Sequence, residues 1–426
     1  MGDFLNIVYD EWDGLNPKPN FITSSGSNKF RIVTGLFNFY GIADKIRNCK
    51  LNEVYENPNE NYYYIVNPIG NSYHLFTELM TVPFPENVLK CFLVCKNFNI
   101  IFLNEHEFEV KDYIRFVDFY CERKRMNPKR IYIMNNNNKL NLYKEELGSK
   151  INVYSLYFLV KFISKHLIEY DSKYVIDEKE FFFMCHNRSP KSHRYTILVL
   201  MKKYGILDDV DWSLIMGWAS DKNNNKYIEF ISPDEQNFYK NEINYFDNIK
   251  IRKSKYEEDT DWFTESDLSN SFDWSKVYEL NTYENSYVNI VTESNYVYDE
   301  IHITEKSLKP FYFYQLPIFL ASCNHIKNLK DKFGFDMFDD IIDHSYDNIK
   351  DNKKRMFAFF DEIKKLHQNK NDIINFYENN YERLEKNKQI VIDISKTEKD
   401  NNYFLNLINK PIVADDYNED IKFKII

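Results

Sequence analysis

The chain has no excess of basic residues, and that shortage argues against one functional class, though it leaves room for a local basic groove. Its 55 lysines and arginines are outnumbered by 65 acids, for a net charge of −10. Proteins that coat nucleic acid without sequence preference need a basic surface, because counterion release drives that binding. The chain also lacks any apolar run of about 18 residues, so no membrane span is expected. Its start, Met1-Gly2-Asp3-Phe4-Leu5-Asn6, has neither the basic nor the apolar segment of a signal peptide, and Asn6 stands where N-myristoylation needs Ser or Thr. Cysteine is sparse, with six residues, and Cys91 and Cys95 form the sole close pair. No matching Cys or His pair follows them at zinc-finger spacing. Reduced, mostly buried thiols in a cytoplasmic setting (host cytoplasm for a viral gene) are the expectation. There is no internal repeat. No Asp-x-Asp dyad stands in a strand–loop context, and therefore no catalytic metal and no bound cofactor are expected.

What is present is enough for a folded α/β protein. Hydrophobic residues make up 43% of the chain and aromatics 17%, sufficient for globular cores. Heavy use of Tyr, Phe, Asn and Lys has the look of an AT-rich genome, such as that of a virus or an AT-rich microbe. A length of 426 residues exceeds what one core usually serves. Two domains are expected, at 1–175 and 176–395, with a tail at 396–426.

In the first, β-like runs fall at 62–66, 91–95, 100–103, 131–134 and 151–154. Between them lies a helical pattern over 110–125, where Tyr113, Phe116, Val117 and Tyr120 recur at helical spacing. The charged stretch at 170–180 reads as the break. Then come a buried strand at 181–185, a helix at 192–204 closed by Gly205, a strand at 212–218 and an irregular acidic insertion at 253–276. A strand at 287–292, a helix from Thr304, a strand at 316–321 and two long amphipathic helices complete the pattern. Strands alternating with helices imply largely parallel sheets. The predicted class is α/β, with two Rossmann-like domains facing a cleft, where ligands usually bind.

Two turns carry the chemistry. The first, Cys185-His186-Asn187-Arg188-Ser189-Pro190-Lys191-Ser192-His193-Arg194, runs from a buried strand into a helix and gathers cations at its start. Basic residues oppose the helix dipole there, a local cost that an anion at the same place would offset. Guanidinium forks suit phosphate oxygens. In the alternative reading this is a solvated basic turn with Ser192 as N-cap. The second turn is Val291-Thr292-Glu293-Ser294 with Thr304-Glu305-Lys306, in which the acid can bridge ribose hydroxyls and the lysine can meet a phosphate. Its alternative is a helix start with Thr304 as cap and Glu305 complementing the dipole.

Two further groups lie in the first domain. Glu105 and Glu107 follow the strand at 100–103 and are candidates for a catalytic base. Asn67, Gly70, Asn71 and His74 form a turn region suited to the acceptor side of the cleft. The acidic cluster of Asp339, Asp340, Asp343 and Asp347 reads as capping and solvation rather than metal binding.

These motifs resemble nucleotide-sugar glycosyltransferases of GT-B type, the group that includes the α1,3-fucosyltransferases. That family has a Phe-Glu-Asn-Ser segment, then Tyr-(Ile/Val)-Thr-Glu-Lys, a helix and a Val-Pro-Val strand. Here the stretch reads Val291 to Ser294, Ile301 to Lys306 and Leu316 to Phe319. Phage and giant-virus proteins thought to be relatives resemble the turn at Asn187 to Arg194 and the run from Gly334 to Asp347. The resemblance implies a nucleoside-diphosphate sugar, for instance GDP-linked, as co-substrate. It also implies a glycan or other hydroxyl acceptor and inverting, metal-independent transfer. By position, Glu305 would hold the ribose, while Lys306 and Arg194 would meet the diphosphate. Glu293 and Ser294 would lie beside the sugar, and Glu105 would act as base. Asn187, Arg188, His193 and Thr304 complete the implied donor set. Glu293 stands where the family has Asn, His302 where it has Tyr, and the spacer before Thr304 is longer. A nucleic-acid base as acceptor and a non-catalytic nucleotide- or glycan-binding protein are the competing readings.

Overall fold

A computed structural model describes residues 5–9, 21–23, 46–68, 86–103, 110–135, 137, 139–155, 158–187, 191–215, 230–249, 251–252, 280–298 and 300–396. They divide into two units on either side of Phe158 and Leu159, the second running to Lys396. The expected class holds: each unit is a Rossmann-like α/β layer built on a mainly parallel sheet.

The first sheet contains β1 (Leu5–Tyr9), β2 (Phe21–Thr23), β3 (Ile46–Lys50), β4 (Tyr62–Pro68), β5 (Phe98–Leu103), β6 (Ile131–Asn135) and β7 (Asn152–Ser155), in the order β3-β1-β4-β5-β6-β7. Strand β2 pairs antiparallel with Val66–Pro68 of β4, beyond the residues of β4 that pair with β1; the remaining ladders are parallel. The helices are α1 (Leu51–Glu56), α2 (Glu86–Val94), α3 (Val110–Lys124) and α4 (Leu140–Leu147). On α3, Tyr113, Val117 and Tyr120 are buried as the spacing predicts, with Ile114 and Cys121 beside them, whereas Phe116 is half-buried.

The run 91–95, expected as a strand, lies on and just after α2. Val88, Cys91 and Phe92 are buried at helical spacing, and Cys95 N–H donates to Cys91 O at 2.8 Å. A five-residue apolar run does not by itself separate helix from strand. The true strand, β5, starts at Phe98.

The second unit holds β8 (Phe181–His186), β9 (Val210–Ile215), β10 (Ile251–Arg252), β11 (Ser286–Thr292) and β12 (Leu316–Leu320), in the order β10-β9-β8-β11-β12. All ladders are parallel except β9–β10. Strands β11 and β12 are buried along their whole length, as expected for continuous apolar runs in a parallel sheet. Pro317 is tolerated because β12 is the edge strand.

The helices of eight or more residues are α5 (Phe158–Leu167), α6 (Ser192–Lys203), α7 (Lys240–Asp247), α8 (Glu305–Tyr312), α9 (His325–Phe333), α10 (Asn352–Gln368), α11 (Lys370–Asn379) and α12 (Tyr381–Lys396). Gly205 closes α6 at φ +69°, a conformation that costs glycine little.

The charged stretch at 170–180 is no break. It is a strap within the second unit, where Ser172 Oγ donates to Tyr312 O at 2.9 Å and Lys388 Nζ to Ser172 O at 2.7 Å. The insertion at 253–276 lies outside the described residues.

Strand order fixes where a ligand can sit. From β8 the chain moves to β9 on one side and then returns to β11 on the other. In open parallel sheets, ligands bind at the carboxyl ends of strands where the order reverses. In the second unit that place lies between His186–Asn187 and Thr292–Ser294.

Candidate functional site

The two polar turns singled out in the sequence meet at this reversal point. Arg194, in the first turn of α6, donates from Nη2 to Thr292 O at 3.1 Å and to Ser294 Oγ at 3.2 Å. Lys191 Nζ donates to Ser294 O at 2.8 Å, and His193 Nε2 lies 2.8 Å from Glu293 O. A carbonyl only accepts, so His193 must carry its proton on Nε2. Thr292 Oγ1 donates to Asn187 Oδ1, tying the end of β11 to the end of β8. Neither turn depends on the other through sequence proximity; the sheet brings them together.

The helix starts differ. Lys191 occupies the N-cap position of α6 and supplies no side-chain cap, and the first turn holds no acid. Ser192, expected as the cap, is the first helical residue. On α8, Thr304 is the cap and its Oγ1 accepts from Lys306 N–H at 3.2 Å. Glu305 and Lys306 follow, their side chains 15% and 24% exposed, with Lys306 Nζ 2.9 Å from Glu305 Oε1. Burial opposes ionisation of Glu305, but the charges of Lys306 and Lys309 outweigh it and hold the carboxyl below its usual range. The site therefore presents an ionised carboxylate beside an ammonium.

Several expected contacts are turned inward. Glu293, expected beside the transferred sugar, is 0% exposed. Its carboxylate accepts from Ser294 N–H at 3.2 Å, from Thr304 N–H at 3.3 Å and Oγ1–H at 2.8 Å, and from Ser307 Oγ–H at 2.5 Å. Four donors make burial of this charge tolerable. Arg194, expected to meet a diphosphate, is 2% exposed and joins the two turns instead. His193 stacks on Tyr296 with ring centroids 4.9 Å apart, and Asn187 is buried beside Cys185. Asn187, His193, Arg194, Glu293 and Thr304 thus form a frame, while Ser294, Glu305 and Lys306 keep exposed surface.

Beneath the loop after Ser294, the Arg355 guanidinium lies 4.6 Å from the Tyr296 ring centroid and donates to Tyr296 O at 2.8 Å and Ala321 O at 3.1 Å. This anchor could not be read from the sequence, because Arg355 looks like a surface residue of an amphipathic helix. Lys191 was legible only as one cation of a basic turn; its bond to Ser294 makes it a bridge. One further pair stands at the end of β8: His186 Nε2 lies 3.0 Å from Oδ2 of the buried Asp211.

Arg188, Glu105, Glu107, Gly70, Asn71 and His74 lie outside the described residues. Asn67 belongs to β4 rather than to a turn, because pairing with Ile22 of β2 extends the strand to Pro68. It stands beside β2, past the residues of β4 that pair with β1.

The acidic cluster is spent on structure. Asp336 and Asp340 hold Arg383, Asp339 pairs with Lys330, and Asp347 accepts from Lys327 N–H at the start of α9. Among the described residues, no group of three His, Cys, Asp or Glu side chains is placed to hold a metal ion. Nor is any helix among them long and apolar enough to cross a membrane.

No protein-family model matches the chain, and no curated protein is significantly similar to it. Among solved structures, the chain is similar to alpha,alpha-trehalose-phosphate synthase (UDP-forming) from Burkholderia vietnamiensis. Identity is 12% and the TM-score 0.38, over 92% of this chain and 98% of that one. It is also similar to alpha,alpha-trehalose 6-phosphate synthase from Burkholderia multivorans, at 12% identity and a TM-score of 0.37, over 89% of this chain and 78% of that one.

Proposed function

We propose that the chain is a nucleotide-sugar glycosyltransferase of GT-B type whose second unit holds the donor. One observation carries this reading: Glu305 and Lys306 stand at the capped start of α8, tied through Thr304, Glu293 and Ser294 to Lys191 and Arg194, at the point where strand order reverses. An ionised carboxylate suits a ribose diol, and Lys306 suits a phosphate. A departing diphosphate carries charge that fixed cations stabilise, which is where such a site lowers a barrier.

The finer terms of the proposal are a GDP-linked donor as first candidate, inversion at the anomeric carbon and transfer without a metal. A glycan or other hydroxyl is the proposed acceptor, with Glu105 or Glu107 as the base it requires. Incubation of the full chain with a panel of UDP- and GDP-sugars and mixed glycan acceptors, reading nucleotide release, is the test. Acceptor-dependent release from one donor is expected, and no release from any would reject the activity.

A further inference from the structure

Glu293 has no surface to offer a sugar, yet its carboxylate accepts from four donors. The bonds form a directed chain. Ser307 has one hydroxyl proton, which it donates to Glu293 Oε1 at 2.5 Å, so its 2.9 Å contact with His325 Nε2 must have the imidazole as donor. Burial lowers the basicity of His325, against the opposing charges of Glu293 and Asp347, and favours the neutral ring, whose proton the Ser307 contact assigns to Nε2. On the other side, Thr304 donates its hydroxyl proton to Glu293 and accepts from Lys306 N–H. Every proton in the sequence His325–Ser307–Glu293–Thr304–Lys306 therefore has one direction. Such a network fixes the group at its end more firmly than any single bond. The group at its end is the backbone that presents Glu305 and Lys306.

We propose that Glu293 is a positioning residue of the donor site: through Thr304 and Ser307 it sets the start of α8 so that Glu305 and Lys306 meet the nucleotide. This rests on the donor-site reading above. An amide at 293 would replace one acceptor with a donor facing hydroxyls that already donate, so a carboxylate is required rather than merely a polar residue.

The test is calorimetric titration of the full chain with UDP and GDP, in wild type and in Thr304→Val, Thr304→Ser, Ser307→Ala and Glu293→Gln. Thr304→Val keeps the shape and loses the hydroxyl; about tenfold weaker nucleotide binding is expected, from loss of the cap and of a bond to a charged acceptor. Thr304→Ser restores the cap and should restore most of the affinity. A structural role alone would also lower the unfolding temperature, so the deciding readout is coupling to Glu305. In a Glu305→Gln background, Thr304→Val and Ser307→Ala should each cost clearly less than in wild type, about threefold, because one of the two contacts they position is already gone. Full additivity, or wild-type affinity in Thr304→Val and Ser307→Ala, overturns the proposal. Should Glu293→Gln fail to fold, the Thr304 and Ser307 variants decide alone. Absence of UDP and GDP binding in wild type rejects the donor site itself, and the positioning role with it, at the first titration.

Discussion

Lys306 and Arg194 were equivalent cations in the sequence, and the structure separates them. Lys306 keeps exposed surface at the start of α8, whereas Arg194 is spent on Thr292 and Ser294. Lys306→Ala should therefore weaken nucleotide binding by about 1.5–3 kcal/mol, the range for hydrogen bonds to charged groups, with little change in unfolding temperature. Arg194→Ala should lower both, and equal unfolding temperatures for the two variants would contradict the division of labour.

Another residue makes a separate prediction. Lys179 is buried, donates to Glu284 O at 2.5 Å and lies 5.0 Å from the Tyr377 ring centroid. Burial, partly offset by the charge of Glu284, lowers its pKa from 10.5 to about 8. Between those values the unfolded chain binds the extra proton, so stability contributed at this position rises with pH across that window and is flat below it. Urea unfolding at pH 7.5 and pH 10 should show wild type gaining about 1–3 kcal/mol relative to Lys179→Met. Parallel profiles would mean that the ammonium stays charged throughout.

At the scale of elements, one clamp ties α12 to the residues that follow α9. Arg383 donates from Nε to Asp336 at 2.7 Å and from Nη1 to Asp340 at 2.8 Å, and its guanidinium lies 5.0 Å from the Phe376 ring centroid. These groups are partly exposed, so solvent screening limits Arg383→Ala to a loss of about 1–3 kcal/mol. The bonds from Arg383 hold Asp340 below its usual value. For Asp336, burial works the other way, and Arg383 outweighs it. The clamp's contribution is therefore present above the ordinary carboxylate value and is lost as pH falls through the lowered ones. Chemical unfolding of wild type and Arg383→Ala should accordingly draw together as pH falls below the ordinary carboxylate value.

The elements that build the candidate site were largely legible. Strands β8, β11 and β12 announce themselves as apolar runs ending in polar turns, and Gly205 marks the end of α6. Cys91 to Cys95 misled because a short apolar run fits either period, and the break at Asn380 between α11 and α12 carries no proline or glycine. The inward turn of Glu293, His193 and Arg194 was not legible. Whether a charged side chain is buried depends on partners such as Thr304, Ser307 and Thr292, which only the fold delivers to it. Sequence reading singled out two turns that the sheet brings together, but it did not show which of their charged side chains are buried.

At the scale of the whole molecule, a net charge of −10 leaves the proposed anion recognition to local arrangement, which the proposal puts at the reversal point of the second sheet. Two turns far apart in sequence share hydrogen bonds there, and one of them ends in an ionised carboxylate beside an ammonium. Isothermal titration of the full chain with UDP and GDP, alongside the Glu305→Gln/Lys306→Ala double variant, tests this most directly. The account predicts saturable binding of at least one of the two nucleotides by wild type and its loss in the double variant. Equal binding by both proteins, or none by wild type, would contradict it.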